Sequence, residues 1–276
     1  MFKYLPQLDG LRAVAVYLVL AYHAGSTFPT KSIDDYHQWT GGGFIGVDLF
    51  FVLSGFLVSN VILSEIDAKG TFGLGGFYAR RVRRLLPAAV LVVVATCVAF
   101  VVVSDVVRRI EMVSDARAAL LYYANWHFLD QSTDYFSQDL QPSPFLHFWS
   151  LAIEEQFYVF FPLVIALLVR TGAKLGRYLA VFVGVLFVAS VGSQLYWGAH
   201  ETTHAYYGSD ARLYQLLAGV LLALLLRSTT AFFQGPRGTV VALAGLAGLV
   251  FLGTGILDLS TTTRGLGATV ASVAAI

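Results

Sequence analysis

Long apolar runs separated by short polar connectors dominate the chain. They fall at residues 11–24, 44–63, 85–103, 148–169, 178–197, 211–226 and 240–257. A helix needs about 20 apolar residues to cross a hydrocarbon core of about 30 Å, so these runs predict membrane-spanning helices. A shorter run at 116–129 is ambiguous, and residues 265–276 begin a further span that stops partway. The expected fold is an all-α, polytopic transmembrane helix bundle of about eight spans, because helices satisfy their own backbone in lipid. Residues 1–276 read as one membrane domain, incomplete at its C-terminal end. No soluble domain, internal repeat or low-complexity linker is visible.

The cations set an orientation. Lys69, Arg80, Arg81, Arg83 and Arg84 lie between the second and third runs; Arg170, Lys174 and Arg177 fill another connector, and Arg227 and Arg237 a third. Basic connectors stay on the cytoplasmic side, which puts all three there together with the N-terminus. An even number of crossings must then separate Arg84 from Arg170. Runs 85–103 and 148–169 supply two, so the 116–129 segment, with Asn125, Trp126 and His127, is expected to be a re-entrant or interfacial helix. The connectors at 26–43, 130–144 and 198–210 fall outside. The expected location is the inner (plasma) membrane.

Composition sharpens the class. The chain is 57% hydrophobic and 13% charged, with mean hydropathy +0.70; soluble domains are about 25% charged. This is an integral membrane protein. The net charge of +1 carries no information about polyanionic partners, and no nucleic-acid partner is expected. The single cysteine, Cys97, excludes an intrachain disulfide and a thiol metal set. It reads as a small packed or lipid-facing residue. Lys3 and the following apolar run imitate a signal peptide, but Asp9 and Arg12 precede the run and no A-x-A site follows, so a retained first span is expected. Gly41–Gly43 and Gly46 lead into the second run. They suit either tight helix packing, with Gly46, Ser54 and Gly55 as small contact residues, or a ligand-binding turn.

Ionisable groups inside apolar runs are the candidates for chemistry. Arg12 and His23 are eleven residues apart, about three helical turns, so both project from one face about 16 Å apart. A desolvated imidazole stays neutral and can take a proton from a hydroxyl, or it can serve as a hydrogen bond between helices. The basic stretch FYARRVRRLLP (77–87) places Arg81 and Arg84 three apart on a helix. Guanidinium forks match phosphate oxygens, those of lipid headgroups or of a phosphorylated cofactor. Pro87 is expected early in the third span, where proline is tolerated. In HFWSLAIEEQFYVFFPL (147–163), Glu154 and Glu155 point about 100° apart. His147, Ser150 and Glu154 recur at spacings of three and four. Two carboxylates entering a bilayer need partners, expected among arginines or histidines of other helices. Asp48 is another acid on an apolar run; it can orient His23, pair with Arg12 or cap its helix. Asp210 and Arg212 open a further span, where Asp210 serves as a helix N-cap.

At these residues the chain resembles acyltransferase family 3. LDGLRAVAV followed by YHAG resembles the family's opening motif, with Arg12 and His23 at its Arg-x10-His spacing. GVDLFFVLSGFL resembles its second-span motif, RRVRRLLP its arginine motif with Arg81 and Arg84 at the Arg-x-x-Arg positions, FWSLAIEEQFYVFFPL its Trp-Ser-Leu…Glu-Glu-Gln-Phe-Tyr motif, and DARLYQLLAGVLLA its later Asp-x-Arg segment. The resemblance implies transfer of an acetyl or other short acyl group from acyl-CoA at the cytoplasmic face to a hydroxyl of an envelope glycan, glycolipid or secreted carbohydrate. It implies His23, Asp48 and Glu154 as catalytic candidates and Arg12, Arg81 and Arg84 as donor-binding ones. Glu155, Ser150, Asp210 and Arg212 are substrate-binding or structural. No metal is expected. The partners implied are membrane lipid, the carbohydrate acceptor and an extracytoplasmic esterase-like domain, attached or separate. Buried His, Asp and Glu on several helices also describe a proton-coupled transporter, although transporters often show paired repeats and none is visible here.

Overall fold

A computed structural model describes residues 5–27, 38–103, 106–131, 143–170, 175–228 and 235–276. Lys3, Lys174 and most of the connectors at 26–43 and 130–144 lie outside the described residues. Within them every regular element is helical: α1 (Pro6–Thr27), a 3-10 turn (Gly43–Ile45), α2 (Gly46–Lys69), α3 (Leu74–Val103), α4 (Val106–Leu120), α5 (Ala124–Asp130), α6 (Phe148–Arg170), α7 (Leu175–His200), α8 (Thr202–Tyr207), α9 (Ser209–Ser228), α10 (Pro236–Leu252) and α11 (Thr261–Ala275).

Among the described residues, five helical stretches are long and apolar enough to cross a membrane: Gln38–Lys69, Leu74–Val102, Phe148–Arg170, Gly176–His200 and Thr202–Ser228. The other expected spans are helical too. Helix α1 carries Asp9, Arg12 and His23 and is less apolar, α10 has 17 residues and α11 has 15. The apolar run at 240–257 is helical only to Leu252, where Gly253 caps α10 by donating to the Leu249 carbonyl at 2.9 Å.

Two local expectations are corrected. Helix α3 starts at Leu74 and takes in the whole arginine stretch, so Pro87 lies in its interior. Proline has no N–H to give the Arg83 carbonyl one turn earlier. The 116–129 run is not one helix either. It breaks at Tyr122, whose φ of 56° puts it in the left-handed region, between α4 and α5.

The chain divides into two compact units, one of residues 1–68, 174–192 and 214–276, the other of 69–173 and 193–213. In the first, α2 is buried along most of its length. A Cβ on Gly46 would strike the Ala15 carbonyl of α1, so the sequence glycine serves helix contact. Helices α2 and α9 meet through two glycines facing opposite backbones. A Cβ on Gly55 would run into the Leu216 carbonyl, and one on Gly219 into the Val52 carbonyl. In lipid, close packing of this kind replaces the apolar driving force that water supplies. Changing Gly55 to Ala is expected to cost about 1–3 kcal/mol through overpacking, read as a lower thermal midpoint in detergent. Gly184→Ala, where nothing lies within 4 Å of the new Cβ, is the control and leaves the midpoint unchanged.

Arg264 fixes the turn between α10 and α11. Its guanidinium donates to the carbonyls of Leu252 at 2.5 Å, Thr254 at 2.6 Å and Leu257 at 2.6 Å. A helix end leaves carbonyls without intrahelical donors, and the buried cation satisfies that of Leu252 together with two carbonyls of the turn that follows. Ser260 caps α11 by accepting from the Thr263 N–H at 3.1 Å.

In the second unit, α3 presents a stripe at intervals of four: Phe77, Arg81, Leu85, Ala89 and Val93 are buried or half-buried, whereas Arg80, Arg83 and Arg84 are exposed. A closed polar ring joins α5, α6 and the start of α9. Gln156 donates to the Tyr122 carbonyl at 3.0 Å and to Asn125 Oδ1 at 2.9 Å. Asn125 donates to the Tyr207 carbonyl and to Ser209 Oγ, both at 3.0 Å. Ser209 returns a hydrogen bond to Gln156 Oε1 at 2.6 Å. Each side chain of the ring both gives and accepts, which is what burial of amides requires.

Candidate active site

The first unit holds Arg12, His23 and Asp48. Helix α1 carries Arg12 and His23 on one face because eleven residues make about three turns. Arg12 pairs with Asp9, one turn earlier, at 3.2 Å and stays half-exposed. That corrects the expectation of an Arg12–Asp48 pair. The half-buried His23 ring places Nδ1 2.8 Å from the Val19 carbonyl. A carbonyl can only accept, so Nδ1 carries the proton and, in the neutral ring, Nε2 carries the lone pair. The helix itself therefore sets the tautomer. Tyr22 meets the imidazole edge-on, with ring centroids 5.3 Å apart.

Asp48 lies in the first turn of α2, fully buried. Helix N-termini favour carboxylates. It accepts a hydrogen bond from Gln215 Nε2 of α9, and the same amide lies 3.1 Å from Tyr214 Oη.

The second unit gathers the arginine and glutamate motifs. Arg81 of α3 grips Glu155 of α6 as a fork, with Nε 3.1 and 3.0 Å from the two carboxylate oxygens and Nη2 2.6 Å from Oε1. The guanidinium carbon sits 3.2 Å from the centroid of the Tyr158 ring. Bidentate pairing and an aromatic face together hold an arginine in one orientation. Tyr158 in turn donates to Glu154 Oε1 at 2.7 Å. The adjacent carboxylates are thus divided: Glu155 meets the arginine and Glu154 meets a phenol. Arg84, three residues on from Arg81, is exposed.

A cavity of about 340 Å³ opens beside the ion pair, lined by Tyr78, Arg81, Tyr122, Glu155, Gln156 and Tyr158 with apolar walls. The strained Tyr122 forms part of it, its carbonyl held by Gln156. Burial, and then the nearby Glu155 carboxylate, push the Tyr122 phenol up, so it remains a hydroxyl donor.

Other expectations resolve differently. His147 precedes α6 rather than sharing its face, and Ser150 donates to the His147 carbonyl at 3.3 Å. Asp210 lies inside α9, not at its N-cap position. Its carboxylate accepts from Ser193 Oγ, from Trp197 Nε1 at 3.2 Å and from the His204 ring at 3.0 Å. Arg212 is buried, its guanidinium carbon 5.7 Å from the Trp149 ring and 5.4 Å from the Tyr206 ring.

Sequence reading missed Gln156, Tyr158 and Tyr122, although the first two stand beside the paired glutamates. It also missed two Asp–His pairs, His204–Asp210 and His127–Asp115, the latter at 2.8 Å. Neither has a local signature, because the partners lie on different helices.

The family model of an acyltransferase domain, acyltransferase family 3, matches residues 5–275 across both units. The chain is 40% identical over 226 residues to the protein named "Putative O-acetyltransferase SACOL0978" of Staphylococcus aureus strain COL. It is 38% identical over 223 residues to the O-acetyltransferase OatA of Staphylococcus aureus strain NCTC 8325 / PS 47. Each alignment covers 81% of this chain and 35% of the relative, so the chain spans about a third of the length of these relatives. No solved structure matches the chain significantly.

Proposed function

Because the chain belongs to acyltransferase family 3, we propose that it forms the membrane part of an O-acyltransferase, moving an acetyl or other short acyl group from acyl-CoA to a carbohydrate hydroxyl. The observation that carries this reading is the His23 ring, whose Nδ1 is committed to the Val19 carbonyl so that Nε2 is the basic nitrogen. Acyl transfer to an alcohol needs one base that removes the hydroxyl proton as the oxygen attacks. In the proposed step Nε2 takes that proton, the acceptor oxygen attacks the thioester carbonyl, and the coenzyme A thiolate leaves and recovers the proton.

The donor enters from the cytoplasmic face of the plasma membrane, a reading supported by the basic connectors beside the arginine end of α3. Arg84 and its exposed neighbours meet the coenzyme A phosphates, while Arg81, braced by Glu155, positions that helix. Arg12 meets the donor arm. Asp48 supports the site through Gln215, and Glu154 serves the acceptor side. The acceptor is an envelope or secreted carbohydrate, and an extracytoplasmic esterase-like domain is the partner proposed for the rest of a longer relative.

The test uses the full chain in liposomes with acyl-labelled acyl-CoA on one side and envelope glycan on the other. The expected result is label covalently attached to glycan. Uptake of an unmodified solute without covalent transfer would support a transporter instead.

A further inference from the structure

The end of α7, helix α8 and the start of α9 carry a second polar and aromatic construction. The His204 ring stacks on Trp197, with centroids 3.9 Å apart and planes at 15°. Trp126 of α5 approaches the same imidazole edge-on at 6.1 Å and is itself 39% exposed. His204 Nε2 lies 3.0 Å from Asp210 Oδ1, and the carboxylate is half-exposed. A carboxylate takes the Nε2 proton as a hydrogen bond, which leaves the imidazole lone pair on Nδ1. Gly208 keeps the space open: a Cβ there would come within 2.7 Å of Asp210 Oδ1 and of the His204 ring.

We propose that Trp126, His204 and Asp210 form a carbohydrate-binding subsite that seats the acceptor. This rests on the reading of the chain as a carbohydrate O-acyltransferase. A sugar ring has an apolar C–H face and a rim of hydroxyls. An exposed indole offers a flat apolar plate for the first, and an oriented imidazole–carboxylate pair offers hydrogen-bond acceptors for the second. Position agrees with the role. Arg227 ends α9 on the basic side, and seventeen residues, about 26 Å, separate it from Asp210. The subsite therefore occupies the opposite, outer end of that helix. A membrane-interface anchor would need only the rings. It would not need an Asp–His pair or a glycine that makes room for it.

The experiment uses the full chain in detergent, with soluble glycan fragments from the native host's envelope as probe. Binding is followed by intrinsic tryptophan fluorescence and transfer by labelled acyl-CoA. Trp126→Ala and Asp210→Asn are each expected to raise the apparent acceptor KM and the glycan Kd at least about tenfold. The donor KM and kcat stay within twofold, and Trp126→Phe restores most of the affinity. Glycan binding without label transfer would retain the subsite and overturn the enzymatic reading. Transfer with unchanged acceptor KM in both variants would overturn the subsite and retain the enzyme. A fall in membrane levels of Trp126→Ala with acceptor KM unchanged would identify the ring as an anchor and likewise overturn the subsite. Absence of glycan binding by the parent chain overturns it outright.

Discussion

Replacing His23 by alanine is expected to lower acyl transfer by about 100- to 10,000-fold, the range that a positioned general base contributes. The protein should still reach the membrane, because the Nδ1 contact of the ring is to a carbonyl of its own helix, Val19, which keeps its place without it. The donor KM should change little, since the proposed role of the ring begins only when the hydroxyl attacks. Equal losses in kcat and kcat/KM are therefore the expected signature. Transfer that survives in the His23→Ala chain at normal membrane levels would eliminate the ring as the base. A collapse of membrane levels would instead show that His23 is a structural hydrogen bond.

Glu155→Ala should have the largest effect on stability. It leaves the Arg81 guanidinium without the carboxylate that meets it at two nitrogens. Removing one partner of a largely buried pair costs about 3–5 kcal/mol. Arg81 retains some exposure, 23% of its side chain, so the lower end of that range is expected. Arg84→Ala removes an exposed cation and should change stability by less than about 0.5 kcal/mol while raising the donor KM. Replacing both members, Arg81→Met with Glu155→Leu, should recover much of the loss, because no buried charge is then left alone. Unfolding curves in mixed micelles read all three. A Glu155→Ala chain as stable as its parent would remove the ion pair from the list of structural supports.

These two outcomes separate the arginines that sequence alone treated as equivalent. Spacing puts Arg81 and Arg84 on neighbouring positions of one helix and says nothing about what each meets. The stripe from Phe77 to Val93 turns Arg81 toward α6, and the same rotation carries Arg84 outward. Glu154 and Glu155 divide for a similar reason. Their 100° offset was readable, but the identity of the group on each side depended on how α6 sits against α3.

The sequence by itself determined the helical class, the approximate place of each apolar helix, the family and the one-face spacing of Arg12 and His23. All of these follow from local rules: apolar length, a period of 3.6 residues and ordered motifs. Tertiary structure alone decided that Arg12 meets Asp9, that Arg81 is taken by Glu155, that Asp210 holds His204 rather than capping its helix, and that the 116–129 run breaks at Tyr122. Even the short-range Arg12–Asp9 pair competed with a distant alternative, Asp48. The pairing of Asp48 with Gln215 joins helices across 167 positions of sequence. No local pattern specifies such contacts, because they depend on the rotation and depth of each helix in the packed unit.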